Sequence, residues 1–285
     1  MTVEQTIPGR FAVVGNPIKH SLSPIIHASF AAQIGQAIDY QAHCVDPPDF
    51  EAWVRAFFDQ SGRGLNVTLP FKTRAFELAD SASERARQAG AANFLRRDSD
   101  GRIHADNTDG KGLITDIRDG AGWSLTDARI LVLGAGGAVK GVMASLLAQA
   151  PKKVFVANRT AAKAVALAAD WSDQNVPVGG GGYEDIGSES WDLIINGTST
   201  GLSDDMPPLP PSLGLADPCC CYDMAYGSKP TPFLIWARAH GAREVRDGLG
   251  MLVEQAAESF NLWLGERPET QAVVEALRLN ATSSA

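Results

Sequence analysis

Gly134, Gly136 and Gly137 stand between the apolar run ARILVLG and an apolar stretch that begins at Val139. In that setting a glycine turn can do chemistry with its backbone alone. The first glycine permits the turn, the second lets the main chain approach a pyrophosphate, and the start of the next helix offers free N–H groups to the charge. Val139 occupies the place of the last glycine in GxGxxG, a position that mainly serves packing of the helix against the strand. The ordinary alternative is a tight turn with no ligand. The following strand, KVFVAN, weighs against it, because it ends at Asn158 and Arg159, where an NAD site would place an acid for the ribose hydroxyls. Arg159, with Lys163 one helical turn later, can instead pair with a 2′-phosphate, a dianion that a carboxylate would repel. A solvated helix start is the alternative here, with Thr160 as its N-cap. Cations are unfavourable at a helix N-terminus, however, so this pair asks for an anion, and NADP rather than NAD is the expected cofactor.

A second set of polar residues interrupts apolar surroundings in the first third of the chain. Ser21 and Ser23 flank a leucine, Asn66 and Thr68 alternate on a strand leading to Lys72, and Asn93 follows the small-residue run AGAA. Residues two apart on a strand face the same way, so Asn66 and Thr68 can line one pocket. Asp106, Asn107 and Asp109 lie just beyond. Each also has a simpler reading: serines before a proline cap helices, NVT suits an edge strand, and DNTDG suits a turn.

Strands and helices alternate almost throughout, which specifies an α/β fold with mainly parallel sheets. FAVVG at 11–15 reads as a strand, and Ser23–Pro24 as the N-cap and first residue of a helix that ends at Gly35, with Ile26, Phe30 and Ile34 on one face. Residues 39–45 read as a strand, 48–58 as a helix and GLNVT as a strand that stops at Pro70. Short helices follow to about Gly90. A hairpin around Ser99, Asp100 and Gly101 precedes a helix capped by Thr108 or Asp109 and running through Ile117. From Ala128 the near-continuous apolar strands suit a parallel sheet buried on both faces: ARILVLG, KVFVAN, WDLIIN and CCCYDM. MPPLPPS is a loop at its rim. A last long helix, about 249–264, puts Leu252, Ala256, Phe260 and Trp263 on one side, and its pattern alone assigns it to neither domain.

At 285 residues the chain exceeds most single cores, so two domains are expected. A formal charge of -8 without a basic stripe disfavours a nucleic-acid partner, though a basic cluster at one small pocket remains open. The N-terminal stretch MTVEQTIPGR has no apolar segment of signal-peptide length, and no segment elsewhere suits a bilayer span, so the cytoplasm is the expected compartment. Cys44 and the adjacent Cys219, Cys220 and Cys221 have neither CxxC spacing nor a disulfide framework and read as buried thiols. The five histidines show no metal-ligand spacing.

Taken together, GNPIKHSLSP, NVTLPFK, AGAANF, DNTDG, GAGGA, NRTAAK, INGTSTG, YDMAY and DGLGMLVEQAA resemble the shikimate dehydrogenase family in order and spacing, over nearly the whole chain. The resemblance implies NADP-dependent reduction of 3-dehydroshikimate to shikimate, in the pathway to chorismate and the aromatic amino acids, by a monomer or homodimer. It implies a substrate domain, residues 1–109 completed by the C-terminal helices of 248–285, and a Rossmann-like NADP domain, residues 110–247, inserted between them. Ser21 and Ser23 would bind the substrate carboxylate, assisted by Tyr226, while Asn66, Thr68, Asn93 and Gln255 would hold the ring hydroxyls. Lys72 and Asp109 correspond to the family's catalytic pair. The NADP site corresponds to Gly134, Ala135, Gly136, Gly137 and Ala138, to Asn158, Arg159, Thr160 and Lys163, and to Met224 and Gly248 at the nicotinamide end. No metal is implied.

Ketone reduction needs a hydride at carbon and a proton at the developing alkoxide. On this reading Lys72 either donates the proton or acts as an electrostatic clamp, and Asp109 keeps it charged and oriented. Lys140 and Lys163 stand where the family commonly has arginine, so the phosphate grip has point charges in place of bidentate forks. Two rival readings are a quinate or shikimate dehydrogenase using NAD, which would want an acid after the second strand, and a non-catalytic sensor, which would have no reason to keep both Lys72 and Asp109.

Overall fold

A strand-then-helix rhythm begins at the first described residues. The computed structural model describes residues 9–173, 175–198 and 205–283. Most of MTVEQTIPGR, read above for targeting signals, and the end of INGTSTG at 199–201 lie outside them. The chain divides into two units, Met1–Thr108 with Gln255–Val273, and Asp109–Glu254 with Val274–Ala285.

In the first unit β1 (Gly9–Gly15) is buried along Phe11–Val14 and leads to α1 (Ser23–Gln33). β2 (Ile38–Cys44) returns parallel to β1, α2 (Phe50–Asp59) follows, and β3 (Gly62–Val67) lies parallel on the other side of β1. Then come α3 (Lys72–Leu78), the two-residue β4 (Ser81–Ala82), α4 (Glu84–Ala89) and the expected antiparallel hairpin of β5 (Phe94–Arg97) and β6 (Ile103–Asp106). The sheet order is β2-β1-β3-β5-β6-β4. NVT therefore ends an interior strand, not an edge: β3 pairs with β1 and β5. Phe50, Val54, Phe57, Leu65, Val67 and Phe71 pack one core.

Two local expectations need correcting. The N-cap of α1 is Leu22, with no side-chain cap bond, and Ser23 is already helical. It is the Ser21 hydroxyl that takes the Ser23 N–H, at 3.3 Å, so the turn is closed from one serine earlier. Cys44 is exposed, because it ends the edge strand β2; Cys219 and Cys221 are buried, and Cys220 is half-buried.

In the second unit α5 (Asp109–Thr115) runs on through a π-helical turn at Asp116–Gly120. β7 (Arg129–Leu133) has four wholly buried apolar residues, Ile130–Leu133, so it needs cover on both faces. That cover comes from crossover connections. α6 (Gly137–Leu147), β8 (Lys153–Ala157), α7 (Ala161–Ala169), β9 (Val178–Gly181), β10 (Ser190–Asn196), β11 (Gly214–Asp223), α8 (Pro232–Ala239) and β12 (Glu244–Asp247) complete an all-parallel sheet. Its order, β12-β11-β10-β7-β8-β9, is the doubly wound arrangement, with a switch point between β7 and β10. One core fills each face, one around Ile130, Val132, Val139, Met143 and Tyr222, the other around Leu131, Leu133, Trp191 and Phe233. Arg246 grips the buried Asp116 through two hydrogen bonds, at 3.0 and 2.5 Å, and Tyr222 donates to the same carboxylate at 2.7 Å, fixing the end of the α5 segment to β12. α9 (Leu249–Leu264) and α10 (Gln271–Ser283) close the chain. No helix among the described residues is long and apolar enough to cross a membrane.

Candidate functional site

Two groups of the expected residues assemble, one in each unit. In the first unit Asn66, near the end of β3, and Asn93, just before β5, are 5% and 3% exposed. Buried amides must be hydrogen-bonded or they cost the free energy of desolvation. Asn66 Nδ2 donates to Ser259 Oγ at 2.9 Å and to the Asn93 carbonyl at 3.3 Å, and its Oδ1 accepts from the Tyr40 hydroxyl at 2.8 Å. Asn93 Nδ2 donates to Thr108 Oγ1 at 2.8 Å and to Gln255 Oε1 at 3.1 Å, while the Thr108 N–H donates back to Asn93 Oδ1 at 2.8 Å. Ser259 Oγ closes the ring by donating to the Gln255 carbonyl at 3.0 Å, and it lies 3.3 Å from Thr108 Oγ1. Three expected residues, Asn66, Asn93 and Gln255, thus belong to one network.

Tyr40, Thr108 and Ser259 complete that network and were not singled out as site residues from the sequence. Ser259 carried a signal: it lies one helical turn after Gln255, on the same face. Tyr40 carried none, since a tyrosine in a strand reads as core. Its ring stacks on His27, with centroids 4.2 Å apart and planes 11° apart. His27 is wholly buried among Phe30, Phe260 and Trp263, and neither ring nitrogen has a hydrogen-bond partner among the described residues. Burial lowers its pKa to about 3, outweighing the nearby Asn66 side chain, so the imidazole is neutral.

The remaining first-unit residues border this network in sequence. Thr68 follows β3, and its Cγ2 sits where a Cβ on Gly15 would fall, 2.5 Å away, so Gly15 leaves room for it. Lys72 opens α3, half-buried, and its carbonyl takes the Ala92 N–H at 2.8 Å, which ties it to the strand segment carrying Asn93. Asp106 has a structural task instead. Burial would raise its pKa, but hydrogen bonds from Arg85 (2.6 and 2.9 Å) and from Ser83 hold it below the usual carboxylate value.

In the second unit the glycine turn leaves β7 at the switch point. Gly134 has φ +102°, which favours glycine, and a Cβ there would meet the Gly197 carbonyl at 3.0 Å. Its N–H donates to the Ala157 carbonyl at 2.7 Å, drawing the turn towards the end of β8. Added Cβ atoms at Gly136 and Gly137 would meet nothing within 4 Å, and both glycines and Ala138 are exposed, an open cradle at the N-terminus of α6. Val139, the departure from GxGxxG, is accommodated from the other side. A Cβ on Gly197 would lie 2.5 Å from its Cγ2, so the small residue that admits close packing sits after β10 instead of on α6.

Asn158 directly follows β8, and its side-chain N–H donates to the Thr160 carbonyl at 3.0 Å. Thr160 occupies the N-cap position of α7, but its hydroxyl makes no cap bond. Arg159 and Lys163 are exposed, form no ion pair among the described residues, and stand at a helix start with no acid in its first turn. Met224 Sδ would be 3.0 Å from a Cβ on Gly197, and the Met224 backbone packs so closely on Gly248 that a Cβ there would lie 2.2 Å from its carbonyl oxygen. Tyr226 lies two residues further on, 38% exposed, and Asp109, 6% exposed, opens α5. An open glycine cradle, free N–H groups and unopposed cations fit the pyrophosphate and 2′-phosphate of NADP. No cluster of three or more potential metal ligands occurs among the described residues.

Three family models match the chain. Residues 13–95 match the shikimate dehydrogenase substrate binding domain, 117–199 match shikimate / quinate 5-dehydrogenase, and 248–278 match the shikimate 5'-dehydrogenase C-terminal domain. A Methylococcus capsulatus protein named shikimate dehydrogenase (NADP(+)) is 52% identical over 95% of this chain and 97% of its own. The solved Ael1 enzyme of Pseudomonas putida superposes with a TM-score of 0.88 at 46% identity, covering 94% of this chain and 98% of that one. A Thermus thermophilus shikimate 5-dehydrogenase, solved with NADP(H) and shikimate, does so at 0.82 and 33%, covering 96% and 99%. By its motifs, its two-unit α/β architecture and its likeness to these proteins over nearly its full length, the chain belongs to the shikimate dehydrogenase family.

Proposed function

We propose that the chain interconverts 3-dehydroshikimate and shikimate using NADP(H), with the first unit taking the substrate and the second the cofactor, and with reduction of the ketone as its physiological direction. The observation that carries the reading is the buried network of Asn66, Asn93 and Gln255, an array of amides suited to a polyhydroxylated ring. A site built to hydrogen-bond hydroxyls rejects analogues that lack them, because its buried groups are then left unpaired. Ser21 and Ser23, joined at the start of α1, bind the substrate carboxylate with Tyr226, and Thr68 takes part in hydroxyl binding.

Gly134–Ala138 and the N-terminus of α6 hold the pyrophosphate, and Asn158, Arg159, Thr160 and Lys163 hold the adenosine end with its 2′-phosphate. Met224 and Gly248 bound the nicotinamide end. When bound, NADPH supplies the hydride to the ketone carbon. Lys72 supplies positive charge and a proton at the developing alkoxide, and Asp109 is the second catalytic group. The relatives named shikimate dehydrogenase (NADP(+)) at about 50% identity support both the reaction and the cofactor. Purified protein offered shikimate or quinate with NADP+ or NAD+, and followed by nicotinamide absorbance, tests the reading. Turnover confined to NAD+, or faster with quinate, would favour the rival dehydrogenase.

A further inference from the structure

Asn66 is held at both ends of its amide by residues with no assigned role. Its two Nδ2 hydrogens are committed to Ser259 Oγ (2.9 Å) and the Asn93 carbonyl (3.3 Å), and its Oδ1 takes one hydrogen bond, from Tyr40 Oη (2.8 Å). A carbonyl oxygen has two acceptor sites, and the nearby His27 imidazole makes no hydrogen bond among the described residues, so the capacity left on this side chain is one lone pair on Oδ1.

Rotating the amide by half a turn would set Oδ1 against the Asn93 carbonyl, which has no proton to give. It would also face Ser259 with an acceptor, although the Ser259 proton is already donated to the Gln255 carbonyl at 3.0 Å. On the other side, Tyr40 would have to accept where it now donates. Stacking on the wholly buried His27 holds the ring in place, so its hydroxyl stays against the Asn66 amide in the geometry in which it now donates.

We propose that Tyr40 and Ser259 are positioning residues that lock the Asn66 amide so that it meets the substrate as a hydrogen-bond acceptor for a ring hydroxyl, an assignment resting on the reading of the first unit as the substrate domain. They act through Asn66 and touch no reacting atom. Ser259 also joins Asn66 to the Thr108, Asn93 and Gln255 half of the network, so the amides are set as one group.

The test is a double-mutant cycle on the full chain with shikimate and NADP+. Tyr40→Phe and Ser259→Ala each free one end of the Asn66 amide, and each is expected to raise KM for shikimate roughly 2- to 10-fold, up to the worth of the one substrate hydrogen bond that a misoriented amide accepts poorly. KM for NADP+ and the melting temperature in the presence of saturating NADP+ serve as controls for general damage. Asn66→Ala is expected to raise KM for shikimate as well, and adding either change to it should alter KM by less than about 2-fold, since nothing remains to be oriented. Additive losses in the doubles, or unchanged KM in both singles while Asn66→Ala is impaired, would overturn the positioning role and leave the functional reading standing. If Asn66→Ala itself leaves KM for shikimate unchanged, both the positioning role and the assignment of this site fall. Should Tyr40→Phe not fold, Ser259→Ala carries the cycle alone.

Discussion

Replacing His27 by leucine should flatten the acid side of the protein's stability profile. The imidazole is 0% exposed, both nitrogens are unpaired among the described residues, and burial lowers its pKa from 6.5 to about 3. In the unfolded chain it returns to the ordinary value, so between these two values the unfolded state binds a proton that the folded state does not. Stability therefore falls as pH falls through that window, and it is unaffected well above it. At about pH 5 the unfolded histidine is protonated roughly thirtyfold over neutral, which is worth about 2 kcal/mol of lost stability relative to about pH 7.5. A folded pKa one unit higher would barely change that figure, because the folded imidazole stays neutral at that pH in either case. The surrounding side chains, Tyr40, Phe30, Phe260, Trp263 and Asn66, do not change charge in this range; burial pushes the Tyr40 phenol further up. Urea unfolding of wild type and His27→Leu at both pH values isolates the term, since other titrating groups are common to both proteins. Wild type should lose about 2 kcal/mol more than the variant on acidification. Equal losses would refute the buried, neutral assignment.

Two further expectations concern the cofactor and the chemistry. Arg159→Ala removes a charge-assisted contact to the 2′-phosphate, worth about 1.5–3 kcal/mol, so KM for NADP+ should rise roughly 10- to 150-fold while KM for NAD+ stays constant. Equal changes for both cofactors would deny Arg159 that role. Lys72→Ala should lower kcat about 10²- to 10⁴-fold with a much smaller change in KM for shikimate, measured by steady-state kinetics. A pH–rate profile left unchanged by Lys72→Arg would argue for electrostatic stabilisation over proton donation.

The second unit was the more legible part of the fold. β7, β8, β10 and β11 are apolar runs, and a strand buried on both faces announces itself by composition. β9 and β12 were not read as strands. β9 is VGGG, against every strand preference, and the reason is packing: a Cβ on Gly180 would lie 2.3 Å from the Ala164 carbonyl of α7, so the glycines record how closely that helix covers the strand. β12, EVRD, is a short edge with polar residues and no periodicity. In the first unit the helix start at Ser21–Ser23 slipped by one residue, since a serine before proline marks a cap without saying which serine closes the turn.

For the site, the glycine turn and the cations after β8 were readable because their spacing along the chain carries their chemistry. On the substrate side Asn66 and Asn93 stood out as polar interruptions, but Gln255 entered only through resemblance and no local pattern joined the three. Asn66 and Ser259 are joined across 193 residues, and Asn93 and Gln255 across 162, distances over which local pattern has no reach. Tyr40 shows the same gap, since its hydroxyl matters through one contact that only folding creates.

On the proposed function, the protein oxidises shikimate with NADP+ and reduces 3-dehydroshikimate with NADPH. Initial rates of nicotinamide reduction by the purified chain, with shikimate and each cofactor in turn, test it most directly. A kcat/KM higher with NADP+ than with NAD+, and higher with shikimate than with quinate, is the expected result. Absence of turnover with shikimate and either cofactor, by a protein that is folded and binds NADP+, would contradict it.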